Sequence, residues 1–122
     1  MVKLLQWCVR IAGVFALILG VPIGIGYYGL PRLHTALGLV VVAALALIAI
    51  FGFFARLRPA LPLVALVWAG VTAYIGFAQT GLMTGDAHWI VEVAHGLLGI
   101  GAMGLAEATG ARINRSLTAA AR

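Results

Sequence analysis

The chain has 122 residues, of which 64% are hydrophobic and 9% are charged, and its formal net charge is +5. Soluble domains are about 45–50% apolar and about 25% charged, and a small globule needs polar residues to cover its large surface. The composition therefore excludes an ordinary soluble domain, a disordered tail and a nucleic-acid-binding module. It predicts one membrane domain over residues 1–122, and the lone Cys8 excludes a disulfide within the chain.

Four apolar stretches are long enough to cross a bilayer, which needs about 20 apolar residues per helix. They predict transmembrane helices over residues 8–30, 32–55, 60–82 and 87–110, separated by turns that contain Gly, Pro and charged residues. Strands are not expected, because they cross a membrane only as a closed barrel and the sequence lacks their alternating pattern. The predicted fold class is an all-α integral membrane protein, a four-transmembrane-helix bundle.

The basic residues orient this bundle, because cytoplasmic ends of membrane helices carry an excess of Lys and Arg. One end of the predicted bundle holds seven of the eight basic residues, and the other end holds Arg32 and Asp86. The seven are Lys3, Arg10, Arg56, Arg58, Arg112, Arg115 and Arg122. We expect both termini to be cytoplasmic and the protein to lie in a membrane of the bacterial inner-membrane type.

In this topology all three histidines fall in the outer half, and two of them have matching contexts. The second helix contains His34 followed by Gly38 in the pattern His-x-x-Leu-Gly, and the fourth helix contains His95 and Gly99 in the same pattern. The match suggests a two-helix unit that is used twice, so that the first and second helices are equivalent to the third and fourth. Parallel repeats of this type occur in membrane proteins.

Equivalent histidines on the second and fourth helices can face each other across a bundle core, where such proteins hold cofactors. Two imidazoles that meet at one point suit six-coordinate haem iron, so His34 and His95 are the predicted axial ligands. Gly38 and Gly99 lie one turn from them on the same helix faces and would leave room for a flat macrocycle, or serve close helix packing. Arg32 is predicted to pair with a haem propionate or to be an ordinary interfacial arginine.

The fourth helix also offers an alternative, because His88, Glu92 and His95 share one of its faces. Together with His34 they form a candidate four-ligand zinc or iron site. His88 lies at the start of the fourth helix, where exposure to water explains the histidine more simply than metal binding does. Glu107, near the cytoplasmic end, is expected to pair with Arg112 or to face water.

The chain resembles a four-helix, bis-histidine b-type membrane cytochrome, and specifically one half of the haem A synthase family. The resemblance covers roughly residues 25–108 and depends on His34 with Leu37-Gly38, on Gln79-Thr-Gly-Leu82 and on His95 with Leu98-Gly99. It implies a haem held by His34 and His95. It concerns the fold and the haem site only, because Pro31 and Thr35 stand where the family's catalytic half has Glu and Arg.

These observations predict a protein that binds one haem b per chain and transfers electrons between quinol or quinone and a partner. An electron carrier or an oxidoreductase subunit is expected rather than a stand-alone enzyme, with a partner protein or a second copy in the same membrane. The alternative is a non-redox accessory or assembly subunit of a larger complex, because the chain is nearly all membrane segment. Histidine ligation of a chlorophyll-type pigment is a further alternative that an absorbance spectrum would separate.

Overall fold

The computed structural model describes residues 1–24 and 30–120, without the side chains of residues 23 and 24. The described residues form helices α1 (Val2–Gly24), α2 (Pro31–Phe54), α3 (Ala60–Ala78) and α4 (His88–Ala120), and a single 3-10 turn over Gln79–Gly81 follows α3. No strand occurs in this part of the chain, so the all-α four-helix class is confirmed. All four helices are long and apolar enough to span a membrane.

Helix α2 agrees with its predicted range to within one residue, and α3 begins where predicted; α3 ends at Ala78 rather than residue 82, where the 3-10 turn Gln79–Gly81 replaces its last turn. Proline marks the beginning of both helices. Pro31 begins α2 at a position where the missing N–H of proline costs nothing. The helix closes where the Leu57 amide donates to the Gly52 carbonyl, and Arg56 takes a left-handed φ of 54°. Pro59 precedes the first residue of α3, where a proline is tolerated. It could not continue α2, because a proline inside a helix removes a backbone hydrogen bond.

The predicted bounds of α1 and α4 were wrong, because they were set by membrane thickness. Helix α1 begins at Val2 rather than residue 8, since no Gly or Pro interrupts the first turns; residues 25–30, the predicted end, lie outside the described residues except for Leu30. Helix α4 runs to Ala120 rather than residue 110. At about 1.5 Å per residue it is about 50 Å long, well beyond a hydrocarbon core of about 30 Å.

The four helices pack as a bundle with α2 and α4 in its centre. Helix α2 contacts α1, α3 and α4, and helix α4 contacts all three others, whereas α1 and α3 do not meet in the described part of the chain. The turn between α2 and α3 lies at the same end as the beginning of α1 and the end of α4. We call this the basic end and the opposite one, where α2 and α4 begin, the histidine end.

Small side chains fill the core towards the basic end. The buried residues that share this core are Val9, Ala12, Ala44, Leu45, Ile48, Ala49, Ala65, Ala69, Ala102, Ala106 and Ile113. Alanine lets helix backbones approach closely, as is usual in membrane bundles. Large apolar side chains instead cover the outside, and Phe54, Tyr74, Phe77 and Leu97 are each more than 60% exposed. This exposed apolar surface is consistent with contact between the helices and a lipid bilayer.

Charged residues are distributed between the two ends as the sequence predicted, within the described residues. Arg32 and Asp86 lie at the histidine end, and the basic end holds Lys3, Arg10, Arg56, Arg58, Arg112 and Arg115. Arg122, the seventh basic residue of the prediction, lies outside the described residues.

One expectation at the basic end was wrong: Glu107 pairs with Arg10 of α1, not with Arg112. The Arg10 guanidinium donates two hydrogen bonds of 2.7 Å to the Glu107 carboxylate. The buried Gln6 donates to the same carboxylate over 3.0 Å. The helices can come this close because residue 110 is glycine; a Cβ there would lie 2.6 Å from the Gln6 side chain. Gly110 is thus a packing residue inside α4 and does not end the helix.

Candidate functional site

The two histidines with matching sequence contexts meet in the centre of the bundle. His34 lies in the second turn of α2 and His95 lies two turns into α4, and these are the two helices that contact each other diagonally. Their ring centroids are 6.1 Å apart and the ring planes are inclined by 67°. The fold therefore brings together the two side chains that sequence reasoning selected as a pair.

The position of His34 is set by helix α1. Its Nδ1 lies 2.9 Å from the Ala16 carbonyl oxygen, and because a carbonyl only accepts, this nitrogen carries the proton. Nε2 of the neutral ring is then free to bind a metal. The ring can approach α1 because residue 20 is glycine: a Cβ there would lie 3.1 Å from the imidazole Cε1. A histidine ligand with its other nitrogen bonded to a backbone carbonyl is common in metal sites.

His95 is placed in a similar way against helix α3, again by a glycine. A Cβ on Gly76 would lie 3.0 Å from Cε1 of His95, so a larger residue there would crowd the ring. The surroundings of the two histidines differ in one respect: Nδ1 of His95 is buried and has no hydrogen-bond partner among the described residues. Each histidine thus lies against a glycine of the preceding helix, but within the described part of the chain only His34 forms a hydrogen bond.

Sequence reasoning did not identify Ala16 and Gly20 and gave Gly76 no role beside a histidine. The glycine that contacts His34 is Gly20. Its signal in the sequence is weak, because a packing glycine in a membrane helix looks the same as a glycine beside a functional ring. Only the contact across the helix pair distinguishes them.

Open space adjoins the histidine pair on the face of α2 predicted for a cofactor, whereas Gly99 of α4 is not among the residues that line it. A Cβ on Gly38 or on Gly99 would have no neighbour within 4 Å. Gly38 also lines a cleft between α2 and α3 that reaches both histidines and ends at Gln79. At its outer edge lie Leu39 and Phe77, which are 46% and 64% exposed. The cleft therefore opens towards the surroundings of the bundle, on the side that would face lipid.

The spacing of the two rings fits one metal ion between them. A metal–nitrogen bond is about 2 Å and a ring nitrogen lies about 1.2 Å from its ring centroid, so two imidazoles on opposite sides of one ion have centroids about 6 Å apart. The observed distance is 6.1 Å. Two imidazoles on opposite sides of a six-coordinate metal would leave four positions for another group, which is the ligand set of a bis-histidine haem.

The remaining candidate ligands lie apart from this pair. Among the described residues no group of three or more His, Cys, Asp and Glu side chains is placed to hold a metal ion. His88 instead has Nδ1 3.1 Å from the Leu82 carbonyl oxygen and Nε2 3.9 Å from a Glu92 carboxylate oxygen. The four-ligand arrangement considered from the sequence is therefore not formed in the part of the chain that the structure describes.

Arg32, the predicted propionate partner, is exposed at the start of α2. It lies two residues before His34, and on a helix it shares a face with Thr35, which lines the cleft. This position is compatible with a charged group at the mouth of the cleft, and the propionate role stays a prediction.

Below His95 a tryptophan fixes α3 against α4. Trp68 Nε1 donates a hydrogen bond of 2.9 Å to the Leu98 carbonyl oxygen, next to Gly99. The indole fills the space over Gly101, where a Cβ would lie 2.5 Å from it. The sequence offered no reason to connect these positions, since they are far apart in the chain. This contact packs the core between the histidines and the basic end, whereas the open space lies beside the histidines.

The chain matches no protein-family model, and comparisons with curated proteins and with solved structures find no significant match.

Proposed function

We propose that this protein is a membrane cytochrome that binds one haem b between His34 and His95 and transfers electrons between a quinone and a partner. The observation that carries the proposal is the approach of two imidazoles from the central helices, with centroids 6.1 Å apart. A pair of half-buried histidines needs a reason, because polar side chains inside membrane segments are expensive. A shared iron ion supplies one for both rings.

Each residue of the site has a defined part in this proposal. His34 would bind the iron through Nε2, because its Nδ1–H donates to the Ala16 carbonyl. His95, which lies against Gly76, would be the second protein ligand. Gly38 and Gly99 provide clearance for the macrocycle on the faces below the ligands. Arg32 pairs with a propionate at the mouth of the cleft. The haem supplies a one-electron redox centre; the chain binds it, orients it and limits access of water.

The direction of the cleft supports a quinone as redox partner. Its outer edge is formed by the exposed side chains of Leu39 and Phe77, so the edge of a bound macrocycle would lie next to the lipid phase. Quinones dissolve in that phase, and an electron carrier there needs no soluble domain to reach them. The other partner is then a protein, or a second copy of this chain, in the same membrane.

The charge distribution supports an orientation for this cytochrome. The basic end holds Lys3, both arginines of the α2–α3 turn and both described arginines of α4, so we place it in the cytoplasm. Both termini are then cytoplasmic and the haem lies in the outer half of a bacterial inner membrane. The second partner would accept or donate electrons at that outer face.

The test is a spectrum of the protein purified from cells that make haem. We expect a reduced-minus-oxidised signal of b-type haem at about one haem per chain, and loss of its six-coordinate form in both His34→Ala and His95→Ala. His88→Ala is the matched control, because it removes a histidine of the same helix that does not reach the pair. A colourless protein, or equal spectra for all three variants, would contradict the proposal.

A further inference from the structure

The two predicted ligands are not equivalent, and the difference lies in their second nitrogen atoms. When Nε2 of a histidine gives its lone pair to a metal, Nδ1 must carry the proton. For His34 this N–H points at the Ala16 carbonyl, 2.9 Å away. For His95 the same atom is buried without a partner among the described residues. Iron binding therefore satisfies the hydrogen bonds of one histidine and leaves a buried donor unsatisfied on the other.

This asymmetry affects ligand strength in two ways. A hydrogen bond from Nδ1–H to a carbonyl raises the basicity of the imidazole and fixes its orientation, and its loss typically lowers metal affinity by about 10- to 100-fold. A buried donor without an acceptor also destabilises the state that contains it. Both effects strengthen the bond between His34 and the iron and weaken the bond between His95 and the iron.

We propose that His34 is the permanent haem ligand and His95 an exchangeable one, so that the ferrous haem binds a neutral diatomic ligand such as carbon monoxide or nitric oxide in place of His95. This inference rests on the proposed haem site. In the exchange the Fe–Nε2 bond of His95 breaks, a bond from iron to the diatomic ligand forms, and His95 leaves as a neutral imidazole. With carbon monoxide the iron stays ferrous, so the step needs no oxidant or reductant.

The surroundings of His95 suit such an exchange. His95 lines the same cleft as Gly38, Phe77 and Gln79, so a small ligand can reach its side of the pair from the apolar exterior. The dense core begins lower in the bundle, where Trp68 packs over Gly101. A diatomic ligand that is more soluble in lipid than in water would therefore enter through the cleft.

The experiment uses the full-length protein in detergent, reduced with dithionite and exposed to carbon monoxide. We expect the six-coordinate ferrous spectrum to change to that of a carbon monoxide complex, and His95→Ala to give the same complex as the wild type. His95→Ala should bind haem in a five-coordinate form, with an affinity about 10- to 100-fold higher than that of His34→Ala for haem. His88→Ala is the control and should behave as the wild type.

The outcomes separate the two proposals. Wild-type protein without haem would overturn the haem site itself. Wild-type protein with six-coordinate haem that carbon monoxide does not alter would leave the cytochrome in place and overturn the exchange. Equal loss of haem from His34→Ala and His95→Ala, or retention by His34→Ala alone, would also overturn the assignment of His95 as the weaker ligand. Even where a variant fails to fold, the wild-type titration decides whether a histidine ligand is exchangeable, and the variant that folds shows which one it is.

Discussion

Gly38→Ala separates the stability of the bundle from its capacity to hold a cofactor. In the protein without haem, the new methyl group would have no neighbour within 4 Å, so it creates no clash. Replacing glycine by alanine inside a helix is favourable by up to about 1 kcal/mol. The unfolding temperature of the haem-free variant should therefore be unchanged or slightly higher. A substitution that leaves the empty bundle intact makes any defect in haem binding interpretable.

With haem bound, the same methyl group would lie in the space assigned to the macrocycle. Overpacking by one methyl group typically destabilises by about 1–3 kcal/mol, which corresponds to a loss of haem affinity of about 5- to 150-fold. The assay is titration of haem-free protein with haemin, read from the absorbance of the bound form. Thermal unfolding of the same preparation is measured in parallel.

The matched control is Gly104→Ala. A Cβ on Gly104 also has no neighbour within 4 Å, so its helix propensity gain is the same. Nine residues separate it from His95, which places it on the opposite face of α4. It should bind haem like the wild type. Equal haem affinity of Gly38→Ala and Gly104→Ala would refute the argument that Gly38 provides clearance for the macrocycle.

Three further predictions concern the supports of the site. Gly76→Ala would place a Cβ 3.0 Å from the His95 ring; we expect a shifted ferrous haem spectrum and about 1–3 kcal/mol less stability, checked by absorbance and thermal unfolding. Gly101→Ala would collide with the Trp68 indole at 2.5 Å, so tryptophan fluorescence should shift and the unfolding temperature fall. Arg10→Ala removes two of the three side-chain hydrogen bonds to the Glu107 carboxylate and leaves only that from Gln6. The unfolding temperature in detergent should fall and partly recover when Glu107→Gln is added, and an additive effect would contradict the pairing.

Much of the fold was readable from the sequence because membrane helices follow simple rules. A span must contain about 20 apolar residues and satisfy its own backbone hydrogen bonds. The helix ends marked by Pro31 and Pro59 were therefore predicted to within one residue. The ends of α1 and α4 were not, because a helix can continue into water and no breaker stands at residue 8 or residue 110.

The candidate site was only partly readable. The His-x-x-Leu-Gly match selected His34 and His95, which the bundle brings together. The contacts that hold these rings, from the Ala16 carbonyl and from two glycines of neighbouring helices, carry no sequence signature. The pairing of Arg10 with Glu107 was missed for the same reason, since the two residues are 97 positions apart.

The sequence by itself determined that this chain forms helices long and apolar enough to span a membrane, with its few charged residues in two groups, one at each end. Composition and the length of the apolar stretches determine the helices, because the free energy of transfer from water to lipid depends on each side chain and its own backbone. It does not depend on which other helices lie nearby. The tertiary structure alone decided which helices form the centre and that the two imidazole centroids are 6.1 Å apart. It also decided that, among the described residues, His34 has a hydrogen-bonded Nδ1 and His95 does not. These features depend on distances between residues that are far apart in the sequence. The packing of small side chains between helices sets those distances, and no local sequence pattern predicts them.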